Sequence, residues 1–281
     1  MVADVSAWRP RVPGVVEVFH AHFTDHAYPM HVHDAWTLLI VDAGAVRYDL
    51  ERHEHGTPHD TVTLLPPHVP HNGSAATPDG FRKRVLYLDA SVLGEDLIGP
   101  AVDEPDLRDP VLRRRVGQLH AALTGPGDEL EAASRLTLIG ERLRSHLLPR
   151  RPDEPARRDP DLARRLRELL DERVLEGVTL DEASGLLGAH PAHLVRAFSA
   201  AYGIAPHQYL MSRRLERARG LLLGGLPPGD VAAATGFFDQ SHLTRHFRRW
   251  VGVTPGRYAR RSSVRGSGEV RPGQSDSRRV R

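Results

Sequence analysis

Gly236-Phe237-Phe238-Asp239-Gln240-Ser241-His242-Leu243-Thr244-Arg245-His246-Phe247 is the stretch whose reading decides the fold. Gly236 suits a tight turn, because glycine enters left-handed backbone conformations without a Cβ clash. Asp239 is a natural N-cap, its carboxylate able to accept from the first free N–H groups of a helix. Beyond it Leu243, Phe247 and Trp250 recur at helical spacing, which predicts a helix over 240–251 packed by that face on a supporting helix over 229–235. The opposite face carries Gln240, Ser241, Thr244, Arg245 and Arg248. That set matches the needs of a DNA duplex: Arg pairs with guanine, Gln with adenine, hydroxyls with either, and spare Arg with phosphate oxygens.

The same pattern occurs 49 residues earlier, as Gly188-Ala189-His190-Pro191-Ala192-His193-Leu194-Val195-Arg196-Ala197-Phe198. From His-Leu to a closing Tyr (Tyr209 and Tyr258) the spacing of the two copies is identical. Each copy reads as a helix, a turn opened by Gly and a second helix, the helix-turn-helix arrangement. In the first copy 181–187 supports and 191–202 follows, with Pro191 in the first turn where its missing N–H costs nothing. Its outward face is Ala192, Val195, Arg196 and Ser199, a poorer reader in which Arg196 carries the hydrogen bonding and Ala192 and Val195 offer contacts to thymine methyls. Between the copies, 206–223 reads as one helix ending at Gly224-Gly225, with Arg213, Arg214 and Arg217 expected on its exposed side. At about 1.5 Å per residue it is roughly 27 Å long, a spacer suited to reading helices about one DNA turn apart.

Charge follows the same division. Residues 191–261 hold 11 Arg against three acids, a net +8, whereas the chain as a whole carries only +2. A basic back half behind an acidic front implies a polyanion partner for the back. A solvated Arg face on an ordinary all-α domain explains one copy alone, but not a duplicated motif with its charge.

The segment Gly236–Tyr258 resembles the signature of AraC-type (AraC/XylS) bacterial transcription regulators, and about 162–261 resembles their whole DNA-binding domain. The resemblance implies two major-groove helices, with Ala192, Val195 and Arg196 of the first and Gln240, Ser241, His242 and Arg245 of the second at base-contacting positions. His193 has two readings, base contact or holding the helix pair together. An operator in double-stranded DNA, RNA polymerase and a second copy of the chain, meeting through the helix at 128–148, are the implied macromolecular partners, with activator the implied mode.

The N-terminal region reads as short β-strands, over 15–23, 35–41, 45–50, 61–65 and 84–88, broken by Gly and Pro turns. Two amphipathic helices are expected to follow, over 110–124 and 128–148. His31-Val32-His33-Asp34 and Pro66-Pro67-His68-Val69-Pro70-His71 resemble the two short motifs of a cupin barrel, the sensor fold of many AraC-type proteins. Three roles stand open for His31, His33 and His71: a metal site, the polar lining of a small-molecule pocket, or structure alone. The metal-binding pattern places a Glu soon after the second His, and Ala35-Trp36-Thr37-Leu38 supply none. The reading adopted is therefore a pocket for an effector lined by His31, His33, Trp36, Tyr48 and His71, with no metal and no cofactor. His53, His55 and His59 read as a solvated hairpin loop.

The expected architecture is α+β in two domains: a cupin-like β-barrel with two following helices over 1–149, a proline-rich linker over 150–160, a double helix-turn-helix domain over 161–261 and a disordered basic tail over 262–281. Zero cysteines exclude disulfides, thiolate metal sites and cysteine nucleophiles. No enzyme signature is present: no phosphate-cradling Gly loop, Ser-His-Asp pattern or paired carboxylates. No apolar run approaches a membrane span and no leader is evident, so the expected compartment is the cytoplasm, with no membrane partner.

Overall fold

The structure, a computed structural model, describes residues 3–263 apart from 25, 52, 58–59 and 149–158. Most of the expected linker and nearly all of the expected tail therefore lie outside the described residues. The chain forms two compact units, residues 1–173 with 177–210, and residues 174–176 with 211–281.

In the first unit ten strands make two antiparallel sheets. One has six strands in the order β1 (Ala3–Trp8), β2 (Val15–Phe23), β9 (Phe81–Leu88), β4 (Trp36–Gly44), β7 (Val62–Leu65) and β10 (Asp106–Leu107). The other has four, in the order β3 (Ala27–His31), β8 (His71–Ala75), β5 (Val46–Leu50) and β6 (His53–Thr57). The run Trp36–Val41 is apolar without polar alternation except for Thr37, and all six residues are buried. A strand of that kind has a core on each face. Leu39 and Val41 face an inner core shared with Val46, Tyr48 and Leu50 of the smaller sheet. Trp36, Leu38 and Ile40 face an outer core shared with Leu112, Val116 and Leu119 of α2 (Pro110–Ala122) and Leu136, Ile139 and Leu143 of α3 (Glu129–Leu147). The expected cupin-like barrel thus takes the form of two facing sheets, which no hydrogen-bonded closure joins among the described residues.

The short helix α1 (Ile98–Asp103) leads toward α2. Asp109 caps α2, accepting from the Val111 and Leu112 N–H groups at 3.0 Å, and receives Arg142 and His146 of α3. The region around His53 and His55 is not the solvated loop expected but edge strand β6, paired throughout with β5, and His55 stacks on Tyr48 at 5.1 Å; His59 lies outside the described residues. Exposed charged and imidazole groups on such an edge discourage further strand pairing.

The first helix-turn-helix copy also belongs to this unit. It comprises α4 (Pro160–Glu172), α5 (Leu180–Leu187) and α6 (Pro191–Tyr202). Thr179 and Glu182 form a reciprocal capping box at the start of α5. α7 (Pro206–Leu223) occupies the residues expected of the spacer and crosses the boundary between the units.

The second unit holds the rest of α7 with α8 (Pro228–Ala234), α9 (Gln240–Val251) and α10 (Pro255–Ser263), around Leu215, Ala218, Leu222, Val231, Leu243 and Phe247. Gly236 turns the chain between α8 and α9 at φ 77°, and a Cβ there would lie 2.3 Å from the Leu175 carbonyl oxygen. Arg214, expected to be exposed, is buried instead: its Nε donates to the Val174 carbonyl at 2.7 Å and its Nη2 to that of Leu175 at 3.3 Å. Arg213 and Arg217 remain exposed.

Candidate nucleic-acid interface and effector site

α9 is built as the sequence implied. Asp239 accepts from the His242 N–H at 2.6 Å and fixes the first turn, while Leu243 and Phe247 are fully buried. Gln240, Ser241, Thr244, Arg245 and Arg248 together line one solvent-open depression on the other side. Two expectations fail here. Trp250 does not complete the packed face; it is 45% exposed. His242 is not on the reading face but buried, its Nδ1 accepting from the Phe238 N–H at 3.1 Å and its ring against Phe237 and His246 at 5.2 and 4.8 Å. It fastens the turn rather than facing a base.

α6 departs further. Of its expected reading face only Arg196 is exposed, whereas Ala192 and Val195 are 0% and 1% exposed. α3 packs against α6, and Glu141 on α3 forms an ion pair with Arg196. A helical wheel drawn for two helices could not anticipate that α3 and α4 also pack against α6. His193 sits at 3.3 Å from Asp159, the N-cap of α4, so it ties the helices of its own copy together.

Between the sheets, the three expected histidines converge. Ring centroids of His31, His33 and His71 lie 4.6–5.1 Å apart, and one donor atom of each lies within 4.8 Å of the others. Nδ1 of His31 and of His71 meets a carbonyl, Pro29 at 2.7 Å and Val69 at 3.0 Å, so each Nδ1 carries the proton and leaves Nε2 as an acceptor. The 3.2 Å contact between Nε2 of His31 and Nε2 of His33 then has His33 as donor. Burial, reinforced by His71, His31 and Lys83, brings the His33 pKa down to about 4, and burial lowers that of His71. Three imidazoles at this spacing are the residues that would hold a divalent ion, and among the described residues no carboxylate joins the trio.

Tyr48 lies in the inner core with its hydroxyl donated to Asp106 at 2.9 Å. Trp36 is not brought to this group: it faces the outer core and donates to the Leu93 carbonyl at 2.8 Å. Lys83, whose role the sequence reading missed, is the neighbour that matters. It shares the inward parity of Phe81 and Val85 on β9, and its ammonium lies 4.2 Å from the Tyr28 ring centroid. Strand alternation from Phe81 was the signal that would have found it.

A sheet-built sensor unit and a duplicated helix-turn-helix with an exposed polar reading face define the class of ligand-binding DNA-reading regulators. Residues 13–140 match the AraC-like ligand binding domain and residues 184–261 a helix-turn-helix domain. The chain belongs to the AraC-type family of transcription regulators. It is 43% identical over 76 residues to the HTH-type transcriptional regulator YbfI of Bacillus subtilis, 27% of this chain and 28% of that one. It is 33% identical over 91 residues to the virulence regulon transcriptional activator VirF of Yersinia enterocolitica, 32% of this chain and 34% of that one. These matches span about a third of the relatives' length. The AraC-like transcriptional activator CuxR is similar in structure over 77% of this chain and 80% of its own, at 16% identity and TM-score 0.41. The matched domains are those of regulators, not enzymes, and among the described residues no helix is long and apolar enough to cross a membrane.

Proposed function

We propose that the chain is a sequence-specific DNA-binding transcription regulator whose activity responds to a small molecule bound between the two sheets. The observation that carries this reading is the α9 face, where Gln240, Ser241, Thr244, Arg245 and Arg248 stand together on a helix anchored by Leu243 and Phe247. Arg196 of α6 is the second reader. His31, His33 and His71 supply the polar side of the effector site. The protein acts in the cytoplasm, where the duplex and RNA polymerase are available to it. A homodimer through α3 would compete with α6 for the face carrying Glu141, linking self-association to the release of Arg196.

Genome-wide mapping of occupancy, followed by titration of the recovered site against scrambled duplex at fixed salt, tests the reading. The expected discrimination is on the order of 10³ or more. Equal affinity for every duplex overturns it.

A further inference from the structure

The inner face of β9 presents Phe81, Lys83, Val85 and Tyr87 in alternation. Phe81 and Val85 are sealed in the inner core, while Lys83 and Tyr87 are only half-buried, as are Tyr28, His31 and His33. Solvent therefore reaches into the space between the sheets at this group. Lys83 is the sole lysine in a chain whose other basic side chains, histidine aside, are all arginine.

Its surroundings are apolar. The ammonium lies 4.2 Å from the ring centroid of Tyr28, 5.8 Å from that of Phe19 and 5.9 Å from that of Phe81. Such rings compensate part of the lost hydration of a cation but do not neutralise it. Among the described residues no carboxylate pairs with Lys83. The titratable groups coupled to Lys83 across the site are His33 and His71, and burial lowers the pKa of both, that of His33 to about 4. Burial alone brings the Lys83 pKa down to about 8, so the amine is still mostly protonated at neutral pH. A partly desolvated charge without a counter-ion carries a cost that a bound anion offsets.

We propose that Lys83 anchors an anionic effector, a small organic carboxylate that places its charge on the ammonium and its apolar body against Tyr28, Phe19 and Phe81. With its Nδ1–H donated to the Val69 carbonyl, His71 presents Nε2 as an acceptor that takes an O–H or N–H group of the same molecule. The ring cage and single cation favour a monoanion with an apolar body over inorganic phosphate, which asks for several cations and water. The positive charge of Lys83 also disfavours a second cation beside the trio. This inference rests on the space between the sheets being the effector site, and it names the chemistry of that site.

Because the chain has one lysine, ¹³Cε-lysine labelling of the full protein gives a single side-chain resonance that reports the protonation of Lys83. Benzoate, hexanoate and succinate would be titrated against benzamide, hexanamide and succinamide, with inorganic phosphate as a further arm. The expected result is that at least one carboxylate raises the Lys83 pKa by about one unit or more and binds at least tenfold tighter than its amide. Lys83→Met, which keeps length and apolar bulk, should erase that preference. Carboxylates and amides binding alike, or a preference surviving in Lys83→Met, overturns the proposal. Phosphate alone moving the resonance overturns the organic class. Amides that bind where carboxylates do not overturn the anionic class while leaving the effector site standing. A resonance unmoved by every carboxylate also overturns the proposal, and whether neutral probes then raise the melting temperature decides separately whether the effector site falls with it.

Discussion

Arg196 on α6 and Glu141 on α3 form an ion pair that joins the first reading helix to a helix of the sensor region. The pair engages Arg196, while Ala192 and Val195 of the same expected face are buried. Both side chains are partly solvent-exposed, so the interaction is worth about 0.2–1 kcal/mol. Glu141→Gln should therefore raise affinity for the operator by about 1.5- to fivefold in fluorescence anisotropy at fixed salt. Arg196→Ala should lower it. Unchanged or weaker binding by Glu141→Gln would show that the pair does not restrain the reader.

Arg245 and Arg248 share the exposed face of α9 but sit one turn apart, and their losses should differ in kind. Arg245→Ala is expected to cost about 1–3 kcal/mol and to relax one base position, as loss of a bidentate base contact does. Arg248→Ala should weaken all sequences alike and reduce the salt slope by about one. Binding to a randomised-site library at two salt concentrations separates the two, and a uniform loss in both variants would place Arg245 on phosphate.

Local pattern made the helices legible, and tertiary partners decided their faces. Capping residues and Gly turns located α6, α7 and α9 to the residue, because those signals act within a few positions of the chain. The strands β3, β6 and β8 went unread because Pro29 interrupts the first and the His, Gly and polar residues of the other two carry no apolar alternation; cross-strand pairing orders them. Trp36 was assigned to the pocket since parity cannot say which face is which when both are buried. His242 was placed toward DNA from its position in the motif and Val195 from the helix pattern as well, whereas one turns inward to Phe238 and the other is buried. The histidine trio was singled out by the resemblance of its two short segments to cupin motifs; strand parity does not explain it, since His33 lies past the end of β3.

Gly236 is a position where the backbone admits no side chain. At φ 77° an L-residue is strained, and a methyl group would meet the Leu175 carbonyl oxygen at 2.3 Å. Gly236→Ala should destabilise the helical unit by about 2 kcal/mol or more, beyond the roughly 1 kcal/mol of conformational cost alone. Urea denaturation followed by circular dichroism measures it. A loss within experimental error of zero would mean that the turn between α8 and α9 relaxes freely.

The sensor unit should be acid-labile through His120. This side chain is buried in α2, with its Nδ1 at 3.1 Å from Nε2 of His20, and its own Nε2 is buried without a hydrogen-bond partner. Burial, together with the nearby charge of Arg84 and with His20, brings its pKa from 6.5 down to about 3, so the folded protein keeps it neutral. The unfolded chain takes up a proton near pH 6.5 and the folded one does not until about pH 3. Between those limits the unfolded state binds more protons, and stability falls with falling pH by up to about 1.4 kcal/mol per unit. Asp42 and Asp109 have lowered pKa values and titrate below this range, whereas burial raises that of Asp106, so the comparison is made against wild type, in which the carboxylates are the same. His120→Leu removes the titrating group together with its unpartnered Nε2, and Nε2 of His20 loses its 3.1 Å contact, so the change with pH rather than the absolute stability is the readout. Relative to wild type, the variant should gain about 2 kcal/mol of stability on going from pH 7.5 to pH 5. Denaturant melts at the two pH values test this, and parallel pH profiles for the two proteins would mean that His120 takes up its proton at the same pH in the folded and unfolded states.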